Sequence, residues 1–309
     1  MPQTTSAIEA TVKFRSILLA TDLSPASQRP LRHAISIARY YGATLYITYV
    51  VSALGFTMCG PEAVRLAIEA SGRDMANLEQ ELSRSGLLDG VQCRFIVCDG
   101  NIRTELEEIV RRNRIDLVIV GAHQRNGIER MLVGSTAERI SRHSSCPVLA
   151  VGPHASADWE PQAPGVDRPL LFATAFDSTS VKAFPYAASL ANQLKRRLVL
   201  LHVISRPPRF AIHRHPSSDF AREQSAAQAD AVQRIERMTA TAPWLNIKPA
   251  IMVEFGEPAA KIVQVAHALN AEATILGTRR HPGIAGTSHL PWLTAYTLIR
   301  CARCPILTV

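Results

Sequence analysis

This sequence predicts an α/β fold built as two doubly wound, Rossmann-like domains, and three observations carry the prediction. Apolar runs of strand length alternate with helical patterns along the whole chain. The 309 residues suffice for about two domains. The second half repeats the first.

The repeat is visible without gaps. At an offset of 153, Leu18, Ala20, Thr21, Ser27, Ala34, Ser36, Ala38, Leu45, Val50 and Ser52 recur as Leu171, Ala173, Thr174, Ser180, Ala187, Ser189, Ala191, Leu198, Val203 and Ser205. Gly100, Gly121 and Gly127 meet Gly256, Gly277 and Gly283 at 156, and Cys146-Pro147-Val148-Leu149 meets Cys304-Pro305-Ile306-Leu307 at 158. A drift this small places short insertions in loops and identifies a tandem duplication.

The elements follow in order. Ser16 to Thr21 reads as a strand. A helix begins between Ser24 and Ser27, with Ser24-Pro25 as N-cap and first helical position, and ends near Gly42; Pro30 blurs its start. Thr44 to Val51 is rich in β-branched and aromatic residues, as a strand should be. Gly55, Gly60 and Pro61 mark a loop before a long helix, about Glu62 to Arg84. A third strand, Val91 to Val97, precedes a helix from Arg103 to Asn113 with Leu106, Ile109 and Val110 on one face. Leu117 to Val120 and Val148 to Val151 complete five strands.

The second half matches with strands near Leu170 to Thr174, Leu198 to Ile204, Pro249 to Glu254, Thr274 to Leu276 and Ile306 to Val309, and a long helix at Ser218 to Ala240. Pro153, Pro161, Pro164 and Pro169 punctuate a polar connection. The expected division is therefore residues 1–152, a linker over 153–169, and residues 170–309. Alternating strands and helices imply a parallel sheet with helices on both faces. Ligands bind such sheets beyond the carboxyl ends of the strands, where strand order reverses.

Composition limits the function. The net charge is +8, but its clusters, Arg111-Arg112-Asn113-Arg114 and Lys195-Arg196-Arg197, read as solvated surface. No nucleic-acid-binding motif accompanies them. No apolar run reaches membrane-spanning length, and Met1 to Lys13 is polar, so a cytoplasmic protein is expected. Of Cys59, Cys93, Cys98, Cys146, Cys301 and Cys304, only Cys301 and Cys304 have C-x-x-C spacing. No second pair completes a zinc site, and His213 and His215 are equally isolated. No metal site is expected.

The stretch from Gly121 to Thr136 carries the chemistry. It runs from an apolar strand through a glycine-bearing loop to a helix start, a geometry in which backbone N–H groups and the helix dipole converge on an anion. Simpler roles exist for each part. Ser135-Thr136-Ala137-Glu138 is a capping box, Gly121 and Gly127 suit a turn, and Asp22 can satisfy local N–H groups.

Ile17-Leu18-Leu19-Ala20-Thr21-Asp22-Leu23-Ser24 resembles the opening strand of universal stress proteins. Gly121 to Thr136 resembles that family's nucleotide loop, G-x-x-G, nine residues, then G-[S/T]. Asp116 to Gly121 and Cys146 to Leu149 also fit the family, and the resemblance covers both halves. It implies, for each half, a five-stranded sheet of order 3-2-1-4-5. The fifth strands of the two halves would pair within one chain about a pseudo-twofold axis; further pairing of two chains is compatible with this. It also implies ATP, with or without Mg2+, in the first half, held by Ala20, Asp22, Val50, Val51, Gly121, Gln124, Arg125, Gly127, Gly134, Ser135 and Thr136. Asp22 would meet the adenosine end, the backbone at Val50 or Val51 the adenine, and the glycine loop the phosphates. Gln124 departs from the pattern, standing where the family has the second glycine of G-x-x-G.

The second half has lost more. Ala175 replaces Asp22, Arg280 takes the place of a loop glycine, and Trp292-Leu293 replaces the G-[S/T] pair, although Thr294 matches Thr136. A degenerate site is expected there. Two functions remain open: a nucleotide-binding stress-response module read by an unidentified protein partner, and a ligand-free scaffold of the same fold. A dedicated enzyme is not expected. There is no G-x-x-x-x-G-K-[ST] loop, no paired acid and base is apparent at either strand end, and His123 reads as a contact or solvent residue.

Overall fold

The computed structural model describes residues 12–52, 60–122, 140, 144–156, 167–205, 217–278 and 290–309. In the first half, β1 (Ser16–Ala20) leads through a 3-10 turn, Pro25–Ser27, into α1 (Gln28–Tyr41). There follow β2 (Thr44–Ser52), α2 (Gly60–Arg84), β3 (Cys93–Gly100), α3 (Ile102–Arg112), β4 (Leu117–Gly121) and β5 (Val148–Val151). The second half contains β6 (Leu170–Ala173), α4 (Ser178–Leu194), β7 (Leu198–Ile204), α5 (Ser217–Thr239), β8 (Ala250–Phe255), α6 (Pro258–Ala268), β9 (Ala273–Leu276), α7 (Leu290–Cys301) and β10 (Ile306–Thr308).

The expected elements are present, with small shifts at their ends. Pro30 sits inside the first turn of α1, where its missing N–H costs nothing. The expected cap Ser24 precedes the 3-10 turn but makes no side-chain capping bond. Its hydroxyl donates to Asp22 instead. The third strand runs to Gly100, and the helix after it starts at Ile102 because Asn101 caps it, accepting from the N–H groups of Arg103 and Thr104. Glu257 caps α6 in the same way at the equivalent place.

All ten strands form one sheet, in the order β3-β2-β1-β4-β5-β10-β9-β6-β7-β8. Each half has the expected 3-2-1-4-5 order with parallel pairing. The halves join through the antiparallel pair β5 and β10, in which Leu149 faces its own equivalent, Leu307. That self-pairing places the pseudo-twofold axis. It also gives the terminal strand of each half a partner, so neither leaves an open edge at the centre of the sheet. The backbone obeys the same symmetry. Leu23 and Phe176, Gly42 and Lys195, Arg114 and Asn270, and Gly100 and Gly256 are equivalent pairs, and every one has positive φ.

Strand alternation sends side chains into two apolar layers, each continuous across both halves. Ile17, Leu19, Leu45, Ile47, Leu149, Leu170, Phe172 and Leu307 point to the layer covered by α1, α2, α4 and α5. Leu18, Tyr46, Val118, Val148, Leu171, Leu201 and Ile306 point to the layer covered by α3, α6 and α7. Complete burial of a Leu or Ile contributes about 1.5–3 kcal/mol, so the two layers hold the sheet and fix its register. The helix after β1 lies on the first layer, whereas Ile140, beyond β4, packs into the second. The carboxyl ends of β1 and β4 therefore flank the crevice where the winding reverses.

Among the described residues, no helix is long and apolar enough to cross a membrane.

Candidate functional site

Register places the crevice wall in the first half. Ala20 lies level with Thr48 on one side and Val120 on the other. The N–H of Thr21 still bonds the carbonyl of Thr48 at 3.0 Å, and there β1 stops pairing with β2. β2 continues to Ser52, its Val50 and Val51 level with Cys98 and Asp99 of β3. Peptide groups alternate sides along a strand. Those of Val51 turn to β3. Those of Val50, like those of Thr48, turn to the β1 side, where no strand lies beside Val50, so of the two it is the Val50 backbone that the sheet leaves uncovered. Both valine side chains are buried, which leaves backbone as their polar surface. Gly121 ends β4, one residue past the level of Ala20.

Asp22 stands exposed at the rim. Its Oδ1 accepts from the Ser24 N–H at 3.0 Å, the Ser24 hydroxyl at 2.7 Å and the Ser27 hydroxyl at 2.6 Å. Leu23 between them has φ 58°, a left-handed conformation costing a non-glycine residue roughly 1–2 kcal/mol. The Thr21 hydroxyl, accepting from the Leu23 N–H at 3.0 Å, holds the turn. The carboxylate is thus fixed in place by its neighbours. The sequence did not single out Ser24 or Ser27 as its supports; hydroxyls two and five residues after an aspartate were the signal.

Of the residues expected to hold a nucleotide, the structure brings Ala20, Asp22, Val50, Val51 and Gly121 to one end of the sheet. Gln124, Arg125, Gly127, Gly134, Ser135 and Thr136 lie outside the described residues, as do Cys59, His123, His213, His215, Arg280, the side chain of Trp292 and most of the linker. Among the described residues, no group of three or more His, Cys, Asp or Glu side chains is placed to hold a metal ion. Cys304 is buried with its thiol against the Thr274 hydroxyl, and burial pushes the thiol above its ordinary range.

The equivalent strand ends of the second half carry different contacts. Asp177, two residues beyond Ala175, caps α4 and accepts from the Ser180 N–H and hydroxyl and the Thr179 hydroxyl. Ser180 is the equivalent of Ser27, so the same serine is held by a carboxylate moved from the strand end to the helix start. A Cβ placed on Gly277 would lie 2.5 Å from the Thr179 carbonyl oxygen and 2.7 Å from the Ser180 nitrogen. The first turn of α4 therefore sits directly on the end of β9. At the end of β7, His202 Nδ1 donates to the Thr174 carbonyl at 2.9 Å. The Phe176 ring lies 4.3 Å from the His202 ring, and the Arg234 guanidinium lies 4.4 Å from the Phe176 ring. Burial holds His202 below the ordinary imidazole range.

A sheet wound twice in this order, with its halves joined through their fifth strands, has known counterparts. The model of the universal stress protein family matches residues 13–152 and again 168–309. The chain belongs to the universal stress protein family. Universal stress protein MJ0531 of Methanocaldococcus jannaschii is 31% identical over 146 residues, 45% of this chain and 82% of that protein. Universal stress protein A homolog 1 of Coxiella burnetii is 28% identical over 149 residues, 45% of this chain and 96% of that protein. Each corresponds to about half of the tandem chain. A solved universal stress protein of Archaeoglobus fulgidus matches the fold of both halves together, with a TM-score of 0.67 at 18% identity, covering 96% of this chain and 97% of that one.

Proposed function

We propose that this tandem universal stress protein binds a nucleotide of the ATP type in its first half and none in its second. The observation that carries the reading is the placement of the Asp22 carboxylate at the same end of the sheet as the Val50 backbone, which no neighbouring strand covers on the β1 side. A carboxylate accepts hydrogen bonds from ribose hydroxyls, and backbone N–H and C=O groups match the edge of a base. The loop from Gly121 to Thr136 supplies the anion-binding sequence. The donor set suits a nucleotide better than a bare metal ion, because one fixed carboxylate is far from a cation's coordination shell. Mg2+ would arrive with the phosphates.

In the second half Ala175 removes the carboxylate, α4 covers Gly277, and His202 already bonds the backbone at the strand end. No described group there is placed to do acid–base chemistry on a ligand, so the protein acts as a binding module whose bound state a partner reads. A ligand-free scaffold is the competing reading, and one observation favours it: Asp22 Oδ1 is already engaged by Ser24 and Ser27.

Isothermal titration with Mg-ATP separates the two. One site per chain, abolished by Gly134→Trp in the loop, is the expected result. No binding at millimolar nucleotide rejects the proposal in favour of the scaffold, and turnover above roughly 1 per second, an ordinary enzyme rate, rejects the binding-module role.

A further inference from the structure

The lateral row Ile96, Thr48, Ala20, Val120 and Ala150 is the last complete row of the first half before β1 ends. Its members point into the layer that holds Leu18, Tyr46, Val50 and Val118. Four of the five are apolar. Thr48 is 1% exposed, and its hydroxyl has no hydrogen-bond partner among the described residues.

A valine would fill that space without burying an unmatched hydroxyl, and unmatched buried hydroxyls are rare because the lost hydration is not returned. The second half shows the apolar solution: its equivalent residue is Leu201, fully buried in the same layer. At this position the hydroxyl belongs only to the half that keeps Asp22, although Ser189 and Thr278 of the second half also bury hydroxyls that lack a partner among the described residues. Thr48 lies two residues before Val50 on the same face of β2, and its strand neighbour Ala20, with only a methyl side chain, is partly exposed at the crevice.

We propose that Thr48 is a base-contacting residue of the first-half site: on binding, its hydroxyl becomes the hydrogen-bond partner of the nucleobase seated against Ala20 and Val50. A hydroxyl both donates and accepts, so it can match a ring nitrogen or an exocyclic amine, and Leu201 offers neither. This assignment rests on the nucleotide reading above.

The test is calorimetric titration of wild type, Thr48→Val and Thr48→Ser with ATP, AMP and tripolyphosphate, with urea unfolding of each ligand-free protein as the control for folding. Thr48→Val is expected to weaken ATP and AMP by the same factor, about tenfold, to leave tripolyphosphate unchanged, and to be no less stable than wild type. Thr48→Ser is expected to retain most of the affinity. Wild-type affinity in Thr48→Val overturns the assignment, because the hydroxyl is then matched by water or by nothing. A loss shared with tripolyphosphate overturns it as a general distortion of the site. Failure of wild type to bind any of the three rejects the nucleotide site itself, an outcome distinct from both.

Discussion

At the end of its first strand the first half carries Asp22, and the second half carries Ala175 there with Asp177 two residues on. Both carboxylates hold the equivalent serine, Ser27 or Ser180. Only Asp22 does so from the crevice rim. At the opposite end of the sheet another pair of equivalent acids has diverged. The Oδ2 of Asp116 accepts from the backbone N–H groups of Arg15 and Ser16 at 2.7 and 3.0 Å. Its counterpart Glu272 lies beside Pro169, which has no N–H to give, and pairs with Arg196 at 2.7 Å. Duplication preserved the strands, whose side chains are locked into shared layers. It left strand ends free to exchange partners, so equivalent acids now hold different neighbours on the same scaffold.

The two acids give the sharpest test of that comparison. Glu272 and Arg196 side chains are 3% and 12% exposed, so Glu272→Gln removes a negative charge that faces a buried cation. The expected loss is about 3–5 kcal/mol, read as a lower urea midpoint. Asp116→Asn weakens two charge-assisted bonds near the surface and should cost about 1–3 kcal/mol. Equal losses would show that the exchange of partners left the energetics of the two ends alike.

Most of the architecture was legible in the sequence. The ten strands announced themselves as apolar runs, and the offset between Cys146-Pro147-Val148-Leu149 and Cys304-Pro305-Ile306-Leu307 pointed to the central pair. Strands buried on both faces leave a strong mark in sequence because nearly every position must be apolar. The site was legible only in part. Asp22, Val50 and Val51 lie at one end of the sheet, because strand order alone sets their places. Ser24 does stand at the N-cap position before Pro25, but its hydroxyl supports Asp22 instead of the helix start, and a serine before a proline looks alike in either role. The stack of Arg234, Phe176 and His202 joins three separate elements, and no local pattern signals it.

Helix ends give a smaller test. The residue that ends α1 is Gly42, with φ 63°, and its counterpart after α4 is Lys195, with φ 52°. Only glycine adopts this conformation without a steric cost. Lys195→Gly should therefore stabilise the protein by about 0.5–1 kcal/mol, and Gly42→Ala should destabilise it by about as much. A Cβ at Gly42 would meet nothing within 4 Å, so that loss reports backbone strain rather than crowding. Unfolding midpoints that move in the same direction for both substitutions would contradict the equivalence of the two helix ends.

The smallest expected effect concerns pH and belongs to the second half, where His202 stands in the place of Tyr49. Burial disfavours its charged form, and the nearby Arg234 adds to this; the Thr174 carbonyl and Asp230 act in the opposite sense without cancelling it. The folded state therefore binds a proton less readily than the unfolded chain. Above the ordinary histidine value of 6.5 both states are neutral at this residue, and it contributes nothing to the pH dependence. As pH falls below that value the unfolded chain takes up the proton first, so stability declines until the folded protein is protonated as well, and then levels off. His202→Asn keeps a donor for the Thr174 carbonyl but cannot titrate. Urea midpoints between pH 7.5 and pH 5 should fall less steeply for this variant than for wild type, and parallel curves would remove His202 as a source of acid sensitivity.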